Sequence, residues 1–507
     1  MIKYINYLIK NYLLVFTFFS FVLTQFVQQD ISISYSWIKS EYPFLEEYGN
    51  FENSILNSFI PLFDLLNFNS NSITIFISML YSVIAVVMMI IFGYYVQKMK
   101  VVDVCFLICL VYFLGKLDLF SSGLNYPINI IIPTGGTGGA LGMVCSLLTI
   151  SVSLYNSKYG LLAVPINLLI HPSLGLLTLS YLFLLKFLKK DYLNMLFLSL
   201  ICLIYLIFSY DSSFSSNEHL IKFIHMNDFH RMPLKLQHFQ CLILPLFLSV
   251  FHSNKRELIG EWIFIGICIL ISYIYYNVEF DFLELPFLSL MPSRGVNIGV
   301  AMIIIKSCSD LIQNPRLYKM GSLIVISIII YRFFVIGTHL TTIIIGCVTG
   351  LIVLLIATLF NVGIIPYKDV NKRIRIKKDY FVIILLSFIV YLNFLSASAN
   401  IKQLVYYKPQ RYDQFFTLVQ EPSFYIDLTE DYGIMSRNKN MVALLPLSKL
   451  DFNYNPDRFE WANQIFKTIF NKNLCGIDCS NRSIINYENV GQILEGYQEE
   501  DWDRIRT

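Results

Sequence analysis

The strongest constraint on this chain is a succession of apolar runs, most of them near the ~20 residues an α-helix needs to cross a bilayer core. They fall at 12–27, 73–96, 101–115, 138–154, 160–170, 173–186, 192–209, 237–252, 258–277, 296–312, 320–337, 340–360 and 380–396. Backbone in lipid must satisfy its own hydrogen bonds, so such runs have to be helices packed on one another. The composition agrees. Of 507 residues, 56% are hydrophobic and 14% are charged, whereas a soluble domain carries about a quarter charged residues. The expected fold is therefore an all-α polytopic membrane protein of about 11–13 transmembrane helices. The first run, Tyr12 to Phe26, lacks a small-residue cleavage site and reads as a retained anchor.

Lys and Arg collect on the cytoplasmic side of membrane proteins. Here they cluster at Lys3 and Lys10; Lys98 and Lys100; Lys158; Lys186, Lys189 and Lys190; Lys255 and Arg256; Arg316 and Lys319; and KDVNKRIRIKK, Lys368 to Lys378. Placing every cluster inside gives one consistent path, with the N-terminus cytoplasmic and the tail outside. The net charge of +3 is spread over these short loops, so no nucleic-acid partner is expected. The runs 160–170 and 173–186 are short and meet at His171-Pro172, which predicts a broken or re-entrant hairpin.

The outer pieces are then 28–72, 116–137, 210–236, 278–295 and the tail. The chain divides into a transmembrane domain, 1–397, and a C-terminal domain, 398–507. MVALLPL, Met441 to Leu447, has a buried-strand pattern, and DRFEWANQIFKTIF, Asp457 to Phe470, is apolar at helical spacing. The tail is expected to be a small α/β domain outside the cytoplasm. Its Cys475 and Cys479 are candidates for a local disulfide, two free thiols being the other reading. The cysteines within the apolar runs read as small buried hydrophobes. GGTGGALG lacks the Lys-Ser/Thr of a phosphate loop and reads as close helix packing through residues such as Gly138 and Gly142.

Several polar groups need a reason. Asp30, Glu41, Glu46 and Glu47 stand in the first outer loop, where a carboxylate can serve as a general base. The segment HMNDFHR holds His225, Asp228, His230 and Arg231, with Lys235 close behind. It has three readings: a metal site, a phosphate and sugar clamp, or an interfacial helix start. Ionisable residues within spans are functional hypotheses by default. Arg332 lies inside a span, and Arg294 lies where the outer loop 278–295 enters the next one. Two guanidinium groups at one membrane depth suit a lipid phosphate. Lys306 and Asp310, four residues apart, are expected to pair along one helix. His171 either binds a ligand or bonds a neighbouring carbonyl at the helix break.

One N-terminal span, an acidic outer loop, many further spans and an outer C-terminal domain together resemble the GT-C superfamily of membrane glycosyltransferases. Three stretches are similar to uncharacterised bacterial members: GGALGMVCSLLTISVSLYNSKYGLLAVPINLLIHPSLGL, FHRMPLKLQHF and ALLPLSKLDFNYNPDRFEW. The layout is most similar to phage-type serotype-converting glucosyltransferases. The resemblance implies transfer of a hexose, glucose favoured, from a polyprenyl-phosphate donor to a lipid-linked glycan such as O-antigen. The place implied is the periplasmic face of the bacterial inner membrane. Glu41 would be the base, and Arg231, Arg294 and Arg332 would hold the departing phosphate, with inversion at the sugar carbon. No cofactor is implied, a divalent metal remaining open. The alternatives are an O-antigen polymerase and, more distantly, a lipid-linked glycan flippase or transporter.

Overall fold

The computed structural model describes residues 14, 15, 17–19, 70–116, 138–209, 242–277, 292–314, 423–427, 441–446, 467 and 498–500. Between residues 70 and 314 the described residues form these helices in order: α1 Ser70–Ile90, α2 Val101–Lys116, α3 Gly138–Tyr155, α4 Ser157–Ile170, α5 Pro172–Leu188, α6 Tyr192–Ser209, α7 Ile243–Phe251, α8 Ile259–Asn277 and α9 Pro292–Gln313. A π-helical turn, Ile91–Val96, extends α1, and a 3-10 turn, Lys255–Leu258, leads into α8. Strands β1 Ser423–Asp427 and β2 Met441–Pro446 pair in parallel. Parallel pairing requires a crossover connection between the strands; residues 428–440, which join them in sequence, lie outside the described residues. Eight predicted runs match α1 to α6, α8 and α9 within a few residues, and α7 takes the second half of the run 237–252. The runs at 320–337, 340–360 and 380–396 lie outside the described residues.

Local chemistry sets the helix boundaries. Pro172 disfavours the helical region for the residue before it, and His171 is extended at φ −151°. Proline is suited to the first helical position, so α5 starts immediately afterwards, with His171 Nδ1 accepting from Leu174 N–H at 3.4 Å. At the other end of the hairpin, Asn156 caps α4 by accepting from Lys158 N–H at 2.9 Å. With 14 residues, α4 is about 21 Å long at ~1.5 Å per residue. That falls short of a ~30 Å bilayer core, as the broken-hairpin reading requires.

Helices consecutive in the chain run antiparallel where they pack on one another. Gly160 of α4 abuts Ser153 of α3, and Gly175 of α5 abuts Leu168 of α4. Trp262 of α8 donates to Ser249 Oγ of α7 at 3.0 Å. Down the α8–α9 seam, Gly295 faces Cys268, Gly299 faces Ile265, and Lys306 reaches Glu261. Helix α9 is the centre of the bundle: every residue from Pro292 to Ser309 is buried. Glycines at positions 295 and 299 let it lie against α8, because a Cβ on either would come within 2.5 Å of a side-chain atom there. This G-x-x-x-G spacing allows close helix approach in membranes; the sequence reading did not identify it.

Two helices among the described residues, Lys255–Ile274 and Pro292–Gln313, are long and apolar enough to cross a membrane. The outer helices show the matching surface. On α6, Leu193 is 65% exposed, Leu196 66% and Ile207 64%. On α8, Ile259, Ile263, Ile267, Leu270 and Ile274 are exposed, while Glu261, Ile265, Cys268 and Ser272 are buried. Cys105, Cys145 and Cys308 are buried too, as small hydrophobes should be, and Cys202 is half-buried.

Candidate functional site

The C-terminal ends of α1, α3, α5, α7 and α9 gather at one end of the bundle. Tyr95, after α1, packs its ring 5.2 Å from that of Tyr155 at the end of α3. Lys186, near the end of α5, donates to Ser157 Oγ at the start of α4. Gln313, at the end of α9, donates to the Gln97 carbonyl at 2.9 Å. Asp310 accepts from Ser253 N–H and Oγ, both at 2.6 Å. This end collects Lys98, Lys100, Lys158, Lys186, Lys189, Lys190, Lys255, Arg256 and Lys306, nine cations against the five carboxylates of Asp103, Asp191, Glu257, Glu261 and Asp310. Of the basic clusters read from sequence as lying on one side of a membrane, those at Lys98 and Lys100, Lys158, Lys186 to Lys190, and Lys255 and Arg256 lie together; Lys3, Lys10, Arg316, Lys319 and Lys368 to Lys378 lie outside the described residues.

The opposite end holds the described candidate residues. His171, at the α4–α5 break, packs on Gly142: a Cβ there would come 2.5 Å from the His171 Cβ. That explains the small residue in the Gly-rich stretch, and it makes His171 a helix cap as well as a candidate ligand. Arg294 lies in the first turn of α9 and is 8% exposed. The sequence placed it in the approach to a span beginning at 296. The helix instead begins at Pro292, because proline fits the first turn, so the outer loop ends earlier than expected. Asn297, three residues on and 1% exposed, shares its face of α9. The helix ends that lead into residues 117–137, 210–241 and 278–291 are at this same end.

Just inside this end, Ser146 and Thr178 spend their hydroxyl protons on the Gly142 and Leu174 carbonyls. Each then accepts from the Asn167 amide, at 3.2 and 3.1 Å. That orientation leaves Asn167 Oδ1 buried, with no hydrogen-bond donor among the described residues. The network ties α3, α4 and α5 together one turn from His171.

Nearer the basic end lies a buried ionic cluster that the sequence reading missed. Lys306 Nζ is 2.5 Å from Glu261 Oε1 and donates to the Glu257 carbonyl at 3.2 Å. Tyr181 donates to the same Oε1 at 2.7 Å. Glu261 has no exposed surface, and its Oε2 has no partner among the described residues. The expected pairing of Lys306 with Asp310 is therefore incorrect. Asp310 turns to the α7–α8 turn, binding Ser253 and approaching His252 Nδ1 at 3.9 Å. Helical spacing allows a pair four apart, but a buried ammonium gains more from a buried carboxylate across the seam than from a partly exposed one beside it.

At the α5–α6 turn, a hydrogen bond from Asn194 and the nearby Lys186 ammonium hold the Asp191 carboxyl below its ordinary range. Burial, and then the neighbouring Lys186 and Lys306 charges, push Lys189 below the usual lysine range.

Asp30, Glu41, Glu46, Glu47, His225, Asp228, His230, Arg231, Lys235, Arg332, Cys475 and Cys479 lie outside the described residues. Among the described residues no group of three or more His, Cys, Asp or Glu is placed to hold a metal ion.

The class defined so far is an antiparallel helical bundle with an apolar exterior, a basic end, and an opposite end carrying a buried arginine and a histidine-capped helix break. No family model, curated protein or solved structure matches this chain.

Proposed function

We propose that the chain is an integral membrane glycosyltransferase moving a hexose from a polyprenyl-phosphate donor to a glycan on the face away from the basic loops. One observation carries this reading: the buried guanidinium of Arg294 lies at the end opposite the basic turns. A buried guanidinium at a membrane surface is suited to phosphate oxygens, because its planar fork donates two parallel hydrogen bonds. A positive charge there stabilises the leaving phosphate as the glycosidic bond breaks. The chain enters and leaves 210–241, which holds His225 to Lys235, through helix ends at that same end. By charge asymmetry that end is periplasmic and the basic end cytoplasmic. Glu41 remains the proposed base, taking the acceptor hydroxyl proton as that oxygen attacks the sugar carbon.

The test is glycan analysis of cells carrying the gene, the gene with Arg294→Gln, and no gene. A branch sugar present only with the unaltered gene supports the transferase. Identical polysaccharides in all three refute it. A change in chain length without a new branch points to a polymerase. A transporter or flippase is the second reading, favoured by the ion pair Lys306–Glu261 inside the bundle, since buried charges mark transport pathways. It predicts translocation of lipid-linked glycan with no new linkage.

A further inference from the structure

Hydroxyl groups inside these helices have a usual destination. Ser146, Ser151, Thr178, Ser180, Ser249 and Ser309 each donate to the carbonyl four residues earlier, at 2.7–2.9 Å. Ser272 of α8 does not. It is 1% exposed, and its Oγ has no hydrogen-bond partner among the described residues. Burying a hydroxyl without a partner costs free energy, so an unmet donor marks a place where a partner binds.

The register of the α8–α9 seam fixes where this hydroxyl aims. Glu261, Ile265, Cys268 and Ser272 form a buried stripe of α8, spaced four, three and four residues apart. The first three meet Lys306, Gly299 and Gly295 in turn. Each turn forward along α8 is one turn back along α9, so Ser272 comes level with Pro292, where α9 starts.

The chemistry of that start suits an anion. The N–H groups of Ser293 and Arg294 lie in the first turn and have no acceptor inside the helix. The residue before the helix is Met291, whose thioether is a poor acceptor, whereas Asn156 and His171 cap α4 and α5. The first turn holds no acidic side chain. It holds instead the buried Arg294, and helical side chains lean toward the N-terminus. A helix start, a guanidinium and a hydroxyl thus converge from two helices, a set of donors matched to phosphate oxygens.

We propose that a phosphate group binds at the N-terminus of α9, where Ser272 Oγ donates to one of its oxygens from across the seam and Arg294 to another. The site itself stands on Ser272 and the helix start. That the phosphate belongs to a lipid-linked sugar donor rests on the transferase reading above; free phosphate shares the chemistry.

The full chain is purified in a maltoside detergent, which carries no phosphate, as wild type, Ser272→Ala, Arg294→Gln and the control Ser307→Ala. Ser307 is another buried helical hydroxyl with no partner among the described residues, thirteen residues beyond Arg294 on α9. Binding of farnesyl phosphate, farnesol and inorganic phosphate is measured by calorimetry, with thermal unfolding alongside. Wild type binds farnesyl phosphate and not farnesol. Ser272→Ala binds it about tenfold more weakly or worse, the value of one hydrogen bond to a charged group, and Ser307→Ala binds as wild type does. Without phosphate, both alanine variants unfold at or above the wild-type midpoint, because each loses an unmet buried hydroxyl. Binding of inorganic phosphate but not farnesyl phosphate, abolished in Ser272→Ala, supports the site and removes the lipid donor. Equal binding by wild type and Ser272→Ala overturns the site, and leaves the transferase reading standing where Arg294→Gln still loses binding. The site is also overturned if neither phosphate binds, if farnesol binds as tightly as farnesyl phosphate, or if Ser272→Ala lowers the midpoint without ligand.

Discussion

Replacing Lys306 by methionine removes one half of an ion pair whose other half, Glu261, has no exposed surface. The remaining carboxylate keeps only the Tyr181 hydroxyl, bonded to Oε1 at 2.7 Å, and its Oε2 has no donor among the described residues. A buried carboxylate with one hydrogen bond must either stay ionised uncompensated or take up a proton, and breaking such a pair costs about 3–5 kcal/mol. Tyr181→Phe deletes one hydrogen bond to a charged group, about 1.5–3 kcal/mol. Removing both charges together, as Glu261→Leu with Lys306→Met, leaves stability within about 1 kcal/mol of wild type or higher. The coupling between the single variants Lys306→Met and Glu261→Leu is thus at least about 2 kcal/mol. Denaturation in mixed micelles, followed by fluorescence of Trp262 beside Glu261, measures all four species. The competing idea, a Lys306–Asp310 pair along α9, predicts the reverse: strong coupling with Asp310→Asn and little with Glu261→Gln. A Lys306–Glu261 coupling below about 0.5 kcal/mol would refute the cross-seam pair.

Other expectations are read the same way. Gly299→Ala drives a Cβ to within 2.5 Å of Ile265 Cγ1 and costs about 1–3 kcal/mol by overpacking. Gly266→Ala meets nothing within 4 Å and is neutral or stabilising by about 0.5–1 kcal/mol, so its unfolding midpoint holds or rises while that of Gly299→Ala falls. Lys189 has a lowered value in the folded chain, so its unfavourable charge is fully present below that value. Raising the pH towards the unfolded lysine value therefore stabilises wild type relative to Lys189→Gln, and parallel pH–stability curves would contradict this. Cysteine substituted for Lys98 or Lys190 is labelled by a membrane-impermeant reagent only from the cytoplasmic side, whereas a reporter fused after Thr507 is active only outside.

The helical runs were legible because the outward-facing and core-facing sides of these helices are both apolar, so length and hydropathy alone delimit α1 to α6, α8 and α9. The His171–Pro172 break was legible from proline stereochemistry. Glycine spacing in the Gly-rich stretch foretold the close approach, though its partner at Gly142 is a side chain, His171. The partner of Lys306 was not legible. Sequence shows which charges share a helix, but the winning contact crosses from α8 to α9, and only packing brings Glu261 there. A local cue existed: Glu261 and Lys306 each interrupt an apolar run, and two opposite charges in different runs are natural partners. The register that joins them is fixed by Gly295 and Gly299, residues whose meaning is visible only beside α8.

Why the least exposed helix should also be so polar has a physical answer. A helix bathed in lipid must be apolar around its circumference, whereas one enclosed by other helices can carry Ser293, Arg294, Asn297, Lys306 and Ser307 if protein or ligand groups meet them. Arg294 and Lys306 are twelve residues apart on α9, about 18 Å at ~1.5 Å per residue. One rigid, buried element thus carries a guanidinium at the proposed reaction end and an ammonium near the basic end. A shift of α9 along its axis would move both, and the α8 seam opposes such a shift through the glycine contacts and the Glu261 ion pair. Weakening that seam with Gly299→Ala should therefore lower activity through Arg294 placement even where the fold survives. An activity loss with intact Lys306–Glu261 coupling would show instead that the two ends of α9 act independently.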